Sequence, residues 1–291
     1  MKWLIQFLRS RVVALIAFFV VLFTFITISY WQVLSLPISG QLSLIKGDIQ
    51  SDALHCYRNE KAKPLDKNGK LDLLVWNIYK QTNVNWQGKL MQYSSNTELA
   101  LLQEVSMTNE FKDYISKANW YASHVDAFKL FDVSSGVLNL SMRAPMLACA
   151  YIEAEPWLQL PKSGIFARYK LSDGKVLAVV NLHSVNFAYG TLAYNRQISA
   201  LAAELTTHEG PVIFAGDLNT WSAARVELIK EQLSKLGLRK VEFSPDNRTR
   251  FVNGLALDHV YYRGLTLVKA SSPVTDASDH NPMLVSFSIT F

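Results

Sequence analysis

Apolar residues fall into two textures along this chain. The first is continuous: residues 12–45 include no charged side chain, and the richest part, residues 12–31, reads as an all-round apolar helix. A helix of that length crosses a hydrocarbon layer roughly 30 Å thick. The second texture begins at Leu71, where short runs rich in Leu, Val and Ile end in polar clusters. These runs, at 71–76, 176–182, 212–215, 257–262 and 283–289, are strand-like. Between them, residues 97–105, 192–205 and 224–236 show helical spacing. Strands interleaved with helices predict an α/β fold, a four-layer α/β/β/α sandwich with helices on the outer faces of two packed sheets. One N-terminal transmembrane helix precedes it. The expected division is a cytoplasmic N-terminus over 1–11, an anchor over 12–31, a polar linker over 32–70 and a single domain over 71–291.

A cleaved secretory signal competes with the anchor, but its apolar core spans about 7 to 15 residues and ends at small residues. Here the run is longer, and Gln32, Val33, Leu34, Ser35, Leu36 and Pro37 offer no such site. A buried core helix is the third reading; it lacks a partner ahead of it in the chain. Lys2, Arg9 and Arg11 precede the run, whereas Lys46 and Asp48 are the first charges after it. The positive-inside bias therefore places the N-terminus in the cytoplasm and everything after the anchor outside it.

The formal net charge of +5 favours anionic partners, although the basic flank of the anchor supplies part of that excess. Cys56 and Cys149 are the two cysteines. A disulfide and a pair of small buried apolar residues are both open readings. Neither a solenoid repeat nor a low-complexity tract is present.

The polar clusters carry the chemistry. Trp76-Asn77-Ile78, Leu102-Gln103-Glu104, Asn181-Leu182-His183, Gly216-Asp217-Leu218-Asn219 and Ser278-Asp279-His280-Asn281-Pro282 are rich in carboxylates, Asn and His, and Asp258 adds a sixth element. Hard cations such as Mg2+ take oxygen ligands, often one or two carboxylates plus substrate phosphate. Glu104 and Asp279 suit that role. Neither HExxH nor paired cysteines of zinc spacing occur.

In this order the motifs resemble the endonuclease/exonuclease/phosphatase superfamily, the DNase I-like phosphoesterases, over residues 71–291. The wording Trp-Asn-Ile-Tyr-Lys, Gly-Asp-Leu-Asn-Thr-Trp-Ser and Ala-Ser-Asp-His-Asn-Pro is similar to a small bacterial branch, the YafD-like proteins. The resemblance implies a divalent-metal-dependent hydrolase of phosphoester bonds using Mg2+ or Mn2+. Glu104 would be the principal metal ligand, with Asn77 and Asp279 completing or supporting the shell. Asp217 would orient or deprotonate the attacking water, and Asn219 would hold a phosphate oxygen. Asp258 would fix the His280 imidazole, and His183 matches the other family histidine. Tyr79 and Met142 depart from the family pattern, so a second metal and a role for Arg143 are not carried over.

His55, His124, His208 and His259 have no such context, and Trp221 is equally a stacking platform or a packed rim residue. Nucleic acid, a phospholipid head group and a soluble phosphate ester all remain open as substrate. The expected enzyme is a monomer in the inner membrane with its catalytic domain extracytoplasmic. The rival class is a catalytically degenerate binding or scaffold module; it would have lost the metal carboxylate or the final Asp-His, and Glu104, Asp279 and His280 are present.

Overall fold

Residues 11–24, 33–46 and 49–289 are described by the computed structural model. After position 33 the first elements are β1 (Leu34–Ser35), β2 (Leu42–Lys46), β3 (Ile49–Leu54), β4 (Cys56–Arg58), β5 (Lys70–Asn77), α1 (Trp86–Ser94), β6 (Leu99–Ser106) and α2 (Asn109–Lys117). There follow β7 (Tyr121–Leu130), β8 (Val133–Ser141), β9 (Leu147–Ala154), β10 (Pro161–Lys170), β11 (Val176–His183) and α3 (Leu192–Ala203). The chain closes with β12 (Val212–Asp217), α4 (Ala223–Lys235), β13 (Arg239–Lys240), β14 (Asp258–Arg263), β15 (Thr266–Ser271) and β16 (Met283–Ser288).

Two mixed sheets result. One runs β15-β16-β5-β6-β8-β7-β2-β3 with β1 paired to β7, and the other runs β13-β14-β12-β11-β10-β9-β4. In each sheet one neighbouring pair is parallel, β5 with β6 and β11 with β12. A parallel pair needs a crossover, which α1 and α3 provide. It also brings the C-terminal ends of both strands to the same sheet edge. Asn77 and Glu104 end up together on one sheet, and His183 and Asp217, which are in register, on the other.

Leu73, Val75, Leu99 and Leu101 pack between the sheets against Ile165, Val179, Ile213 and Ala215. Alternate residues, Leu74, Trp76, Ala100 and Leu102, face outward onto Trp86, Leu90, Phe111 and Ile115 of α1 and α2. On the other side Phe166, Val180 and Phe214 lie beneath Tyr194, Ile198, Ile229 and Leu233 of α3 and α4. The central strands are therefore buried on both faces and read as continuous apolar runs.

That double burial explains one error of sequence reading. Residues 97–105 were expected to be helical, yet Leu99–Ser106 is β6. A short run buried on both faces has no alternation, so its periodicity matches a buried helix equally well.

A second difference concerns residues 32–70. The segment contains β1 to β4, with β2 on β7, β3 on β2 and β4 on β9, rather than a simple linker. Edge strands of mixed polarity carry too weak a pattern to be seen in sequence. Cys56 stands opposite Cys149 across β4 and β9, and the two form a disulfide. A bridge closing so long a loop restricts the unfolded chain strongly. Replacing both cysteines by serine is expected to cost about 2 to 5 kcal/mol of stability, read as a lower melting temperature that reductant no longer changes. A fragment starting at Leu71 would lose the bridge and four strands together.

Residues 11–24 are helical, and the large apolar side chains from Val12 to Phe23 are exposed. Among the described residues no helix is long and apolar enough to cross a membrane. The rest of the 12–31 run lies outside the described residues.

Candidate active site

Backbone geometry at the strand ends aims the polar side chains into one cleft. Between Leu102 and Val105 the pairing of β6 with β8 shifts by one residue, and Glu104 adopts a positive φ of 52° within that bulge. An extra residue of this kind turns a side chain out of the sheet's alternation. Gly136 lies opposite the bulge; a Cβ there would come within 1.9 Å of the Val125 carbonyl oxygen. At the end of β12, Gly216 has φ 140°, and a Cβ would meet the Leu182 oxygen at 2.0 Å. Only glycine lets the β12 end approach β11 so closely, which sets the position of Asp217.

The turn after β12 is closed by Asp217 itself, whose Oδ1 accepts from the Asn219 N–H at 3.1 Å. Asn219 has φ 44°, and its side-chain amide donates to the Ser184 oxygen at 3.1 Å. Asn77 donates from Nδ2 to Asp217 Oδ2 at 3.1 Å, while its Oδ1 accepts from the Tyr79 N–H. The 278–282 loop is pinned to the end of β5: Ser278 Oγ donates to the Asn77 oxygen at 2.7 Å, and the Trp76 indole donates to the His280 oxygen at 2.8 Å. These bonds place Asp279 and His280 over the strand ends.

His280 Nδ1 lies 2.8 Å from Asp258 Oδ2, and its Nε2 is 4.0 Å from Asp217 Oδ2. Burial works against a charged ring here, but Asp258, then Asp217 and Asp279, outweigh it and raise the imidazole to about 10. The ring is an imidazolium at neutral pH. His183 shows the opposite balance. Burial and the Lys162 ammonium, 3.1 Å from Nε2, push it down to about 4. It is therefore neutral, and Nε2 accepts from Lys162 while standing 3.4 Å from Asp217.

Burial also opposes ionisation of Glu104, yet His183 and the Lys80 ammonium overcome it and hold the carboxyl down at about 2. Where Glu104 titrates, His183 also carries its proton, so its charge acts together with the direct bond from Lys80 to Glu104 Oε2. Asp279 is raised, first by burial and then by the charge of Glu104.

The cleft these groups line has a volume of about 370 Å³ and includes Lys80, Glu104, Lys162, His183, Asp217, Asn219, Asp279 and His280. Asp258 and Asn77 support it from behind. Glu104 and Asp279 are carboxylates lining one opening, and the charge of Glu104 adds to the cost of ionising Asp279, a cost that a hard cation relieves. A second group also has suitable spacing: ligand atoms of Asp217, Asp258 and His280 lie within 4.8 Å of one another.

The remaining histidines lie elsewhere or are held in other bonds. His259 is buried between Thr220 and Arg248, His124 pairs with Asp126, His208 meets the Pro211 oxygen and His55 lies beside Tyr151. Trp221 packs against the Arg225 guanidinium at 4.5 Å and beside Phe251. Met142 and Arg143 line a different groove.

Sequence reasoning missed Lys80, Lys162 and Arg225. Lys80 closes the Trp-Asn-Ile-Tyr-Lys wording, so its proximity to Asn77 was visible, but not its turn toward Glu104. Lys162 comes from β10, far from any motif. Arg225 is fully buried; it donates to the Val185, Asn186 and Asn219 oxygens and ties the Asn219 turn to the loop after β11.

Residues 74–280 match the family model described as the endonuclease/exonuclease/phosphatase family. The chain belongs to that family. A UPF0294 protein of Vibrio cholerae is 51% identical over 259 residues, covering 89% of this chain and 92% of its own. A solved endonuclease/exonuclease/phosphatase from Beutenbergia cavernae superposes with a TM-score of 0.60 at 13% identity, covering 76% of this chain and 72% of that one. The D. rerio TDP2 structure complexed with single-strand DNA product gives a TM-score of 0.54 at 16% identity, with 76% and 100% covered. These two structural likenesses speak for the fold.

Proposed function

We propose that this chain is a membrane-anchored phosphoesterase that depends on a divalent cation. The carrying observation is the convergence of three carboxylates (Glu104, Asp217 and Asp279), the Asp258–His280 pair and two lysines on one cleft. Glu104 and Asp279 would hold Mg2+ or Mn2+, with Asn77 supporting the site through its bond to Asp217. When bound, such an ion neutralises charge on the phosphoryl oxygens.

The chain's own groups account for the rest of the hydrolysis. Asp217 orients the attacking water and accepts its proton, because it is buried, supported by Asn77 and adjacent to both histidines. The water oxygen forms a bond to phosphorus while the ester P–O bond breaks, its electron pair passing to the leaving oxygen, which gains a proton. His280, charged and held by Asp258, presents Nε2–H to the phosphoryl oxygens. Asn219 spends one amide hydrogen on Ser184 and keeps the other for a phosphate oxygen. Neutral His183, backed by Lys162, lines the same wall.

The Asp217, Asp258 and His280 group reads as the proton-handling side of this site rather than as the cation site. His280 Nδ1 and Asp258 Oδ2 are already engaged with each other at 2.8 Å.

Anchoring rests on the exposed apolar helix over residues 12–24, which opens the uncharged 12–31 run. An apolar surface on all sides has no stable place in water. The disulfide supports an oxidising compartment for the domain, in accord with the basic N-terminal flank and a single-pass position in the inner membrane. Carboxyl-terminal reporter fusions test this topology: activity from an alkaline-phosphatase fusion is expected, and activity from a cytoplasm-only reporter would reverse it. Within the family we place the chain in the YafD-like branch, on the motif wording quoted above.

The test of function is a panel of plasmid DNA, abasic DNA, phospholipid vesicles and inositol phosphates, with the full chain in detergent. At least one is expected to be cleaved in Mg2+ or Mn2+ and to stop on chelation. If none is cleaved, the scaffold reading replaces this one.

A further inference from the structure

One wall of the cleft continues outward as an apolar rim. Trp157 and Leu158 in the loop after β9, Phe187 and Tyr189 in the loop after β11, and Leu192 at the start of α3 are each half or more exposed. Trp157 and Tyr189 meet edge to face at 4.5 Å and join the two loops. Leu158 and Phe187 also line the cleft, so rim and cleft are continuous. Exposed apolar surface gathered in one place marks a binding surface.

The charge pattern and the chain path point to the occupant. Residues 155–160 and 184–192 include neither Lys nor Arg. A polynucleotide needs cations along its path and flat ring faces on which bases stack. The two rim loops offer no cation, and Arg196, one helical turn beyond Leu192, is paired with Glu153; two rim members are leucines, and Trp157 is turned edge to face against Tyr189. The cations of the cleft are Lys80, Lys162 and His280, which lie beside Glu104, His183 and Asp258. The arrangement suits one phosphate inside and an apolar body outside. Trp, Tyr, Phe and Leu are also the side chains that settle at a bilayer surface.

The start of the domain is tied to the same side. The β7–β8 hairpin contributes Phe128 to the cleft and exposes Phe131 at its tip. β1 pairs on that hairpin through Leu34 and Leu130, and the Phe131 N–H donates to the Val33 oxygen at 2.9 Å. The chain from Thr24 to Val33 reaches at most roughly 32 Å however it runs. A helix held in lipid therefore keeps this hairpin near the bilayer.

We propose that the substrate is a phospholipid phosphoester, taken from the leaflet on which Trp157, Leu158, Phe187, Tyr189, Leu192 and Phe131 rest. The proposal rests on the phosphoesterase reading above. Hydrolysis of a lipid phosphodiester uses one water and yields a phosphomonoester and an alcohol, one of which stays in the bilayer.

The experiment reconstitutes the full chain in phosphatidylethanolamine/phosphatidylglycerol vesicles and compares three probes: those lipids, soluble bis(4-nitrophenyl) phosphate, and a single-stranded oligothymidylate. Wild type is expected to hydrolyse the lipid. Trp157→Ser/Tyr189→Ser is expected to lower the lipid rate about tenfold or more while the soluble diester rate stays within about twofold. A readout apart from activity is tryptophan quenching by lipids brominated on their acyl chains. The fluorescence removed by Trp157→Phe should be quenched fluorescence. Cleavage of the soluble diester or oligothymidylate without lipid cleavage overturns the lipid assignment and leaves the phosphoesterase reading standing. An equal loss on lipid and soluble diester, or an unquenched Trp157, also overturns it. Failure on all three probes also overturns the lipid assignment, and the phosphoesterase reading then falls only if the panel given above fails as well.

Discussion

Replacing His280 by alanine is expected to lower the turnover number by about 10² to 10⁴ while leaving the affinity for Mg2+ or Mn2+ nearly unchanged. The ring lies 2.8 Å from Asp258 and 4.0 Å from Asp217, and its charge is held by those carboxylates. Removing it takes away a charged donor aimed at the phosphoryl group, whereas Glu104 and Asp279 stay in place. Asp258→Asn should follow in milder form, because the imidazole loses the carboxylate that orients and charges it. Kinetics and calorimetric titration with Mn2+ separate the two effects. A His280→Ala variant that loses cation affinity as steeply as activity would move the cation to the Asp217, Asp258 and His280 group.

Glu104→Gln should fail in the other way. The substitution keeps shape but removes a negative charge from a hard-cation site, so cation affinity should fall by about tenfold or more, and added Mg2+ or Mn2+ should restore part of the rate. Lys80 sharpens the expectation. Its ammonium bonds Glu104 directly, so a cation entering the site must share or displace that contact. A rate that stays low at every cation concentration, with unaltered binding, would show that Glu104 does not hold the ion.

Much of this site was legible because its residues stand at the ends of strands buried on both faces. A run such as residues 212–215 followed by Gly-Asp-Leu-Asn announces both the strand and the turn, and Gly216 is required by the 2.0 Å approach to Leu182. The same burial misled at residues 97–105, where lost alternation made β6 look helical. Lys162 was invisible for a different reason. It reaches His183 from a neighbouring strand, β10, whose register with β11 exists only in the folded sheet. The pairing of Cys56 with Cys149 likewise depends on β4 joining β9, two strands with no motif between them. Asn77, read as a metal ligand, gives its amide to Asp217, a link that needs both sheets in place.

The most direct test of the central claim is the rate of phosphodiester hydrolysis by the full chain, measured against Mg2+ concentration, with chelator, for wild type and Asp217→Asn. Wild type is predicted to need the cation and to stop on chelation. Asp217→Asn is predicted to fold with the same melting transition to within a few degrees and to lose about 10² or more in turnover at saturating cation. A chelator-insensitive rate, or equal turnover in the two proteins, would contradict the assignment of this cleft as a cation-dependent phosphoesterase site.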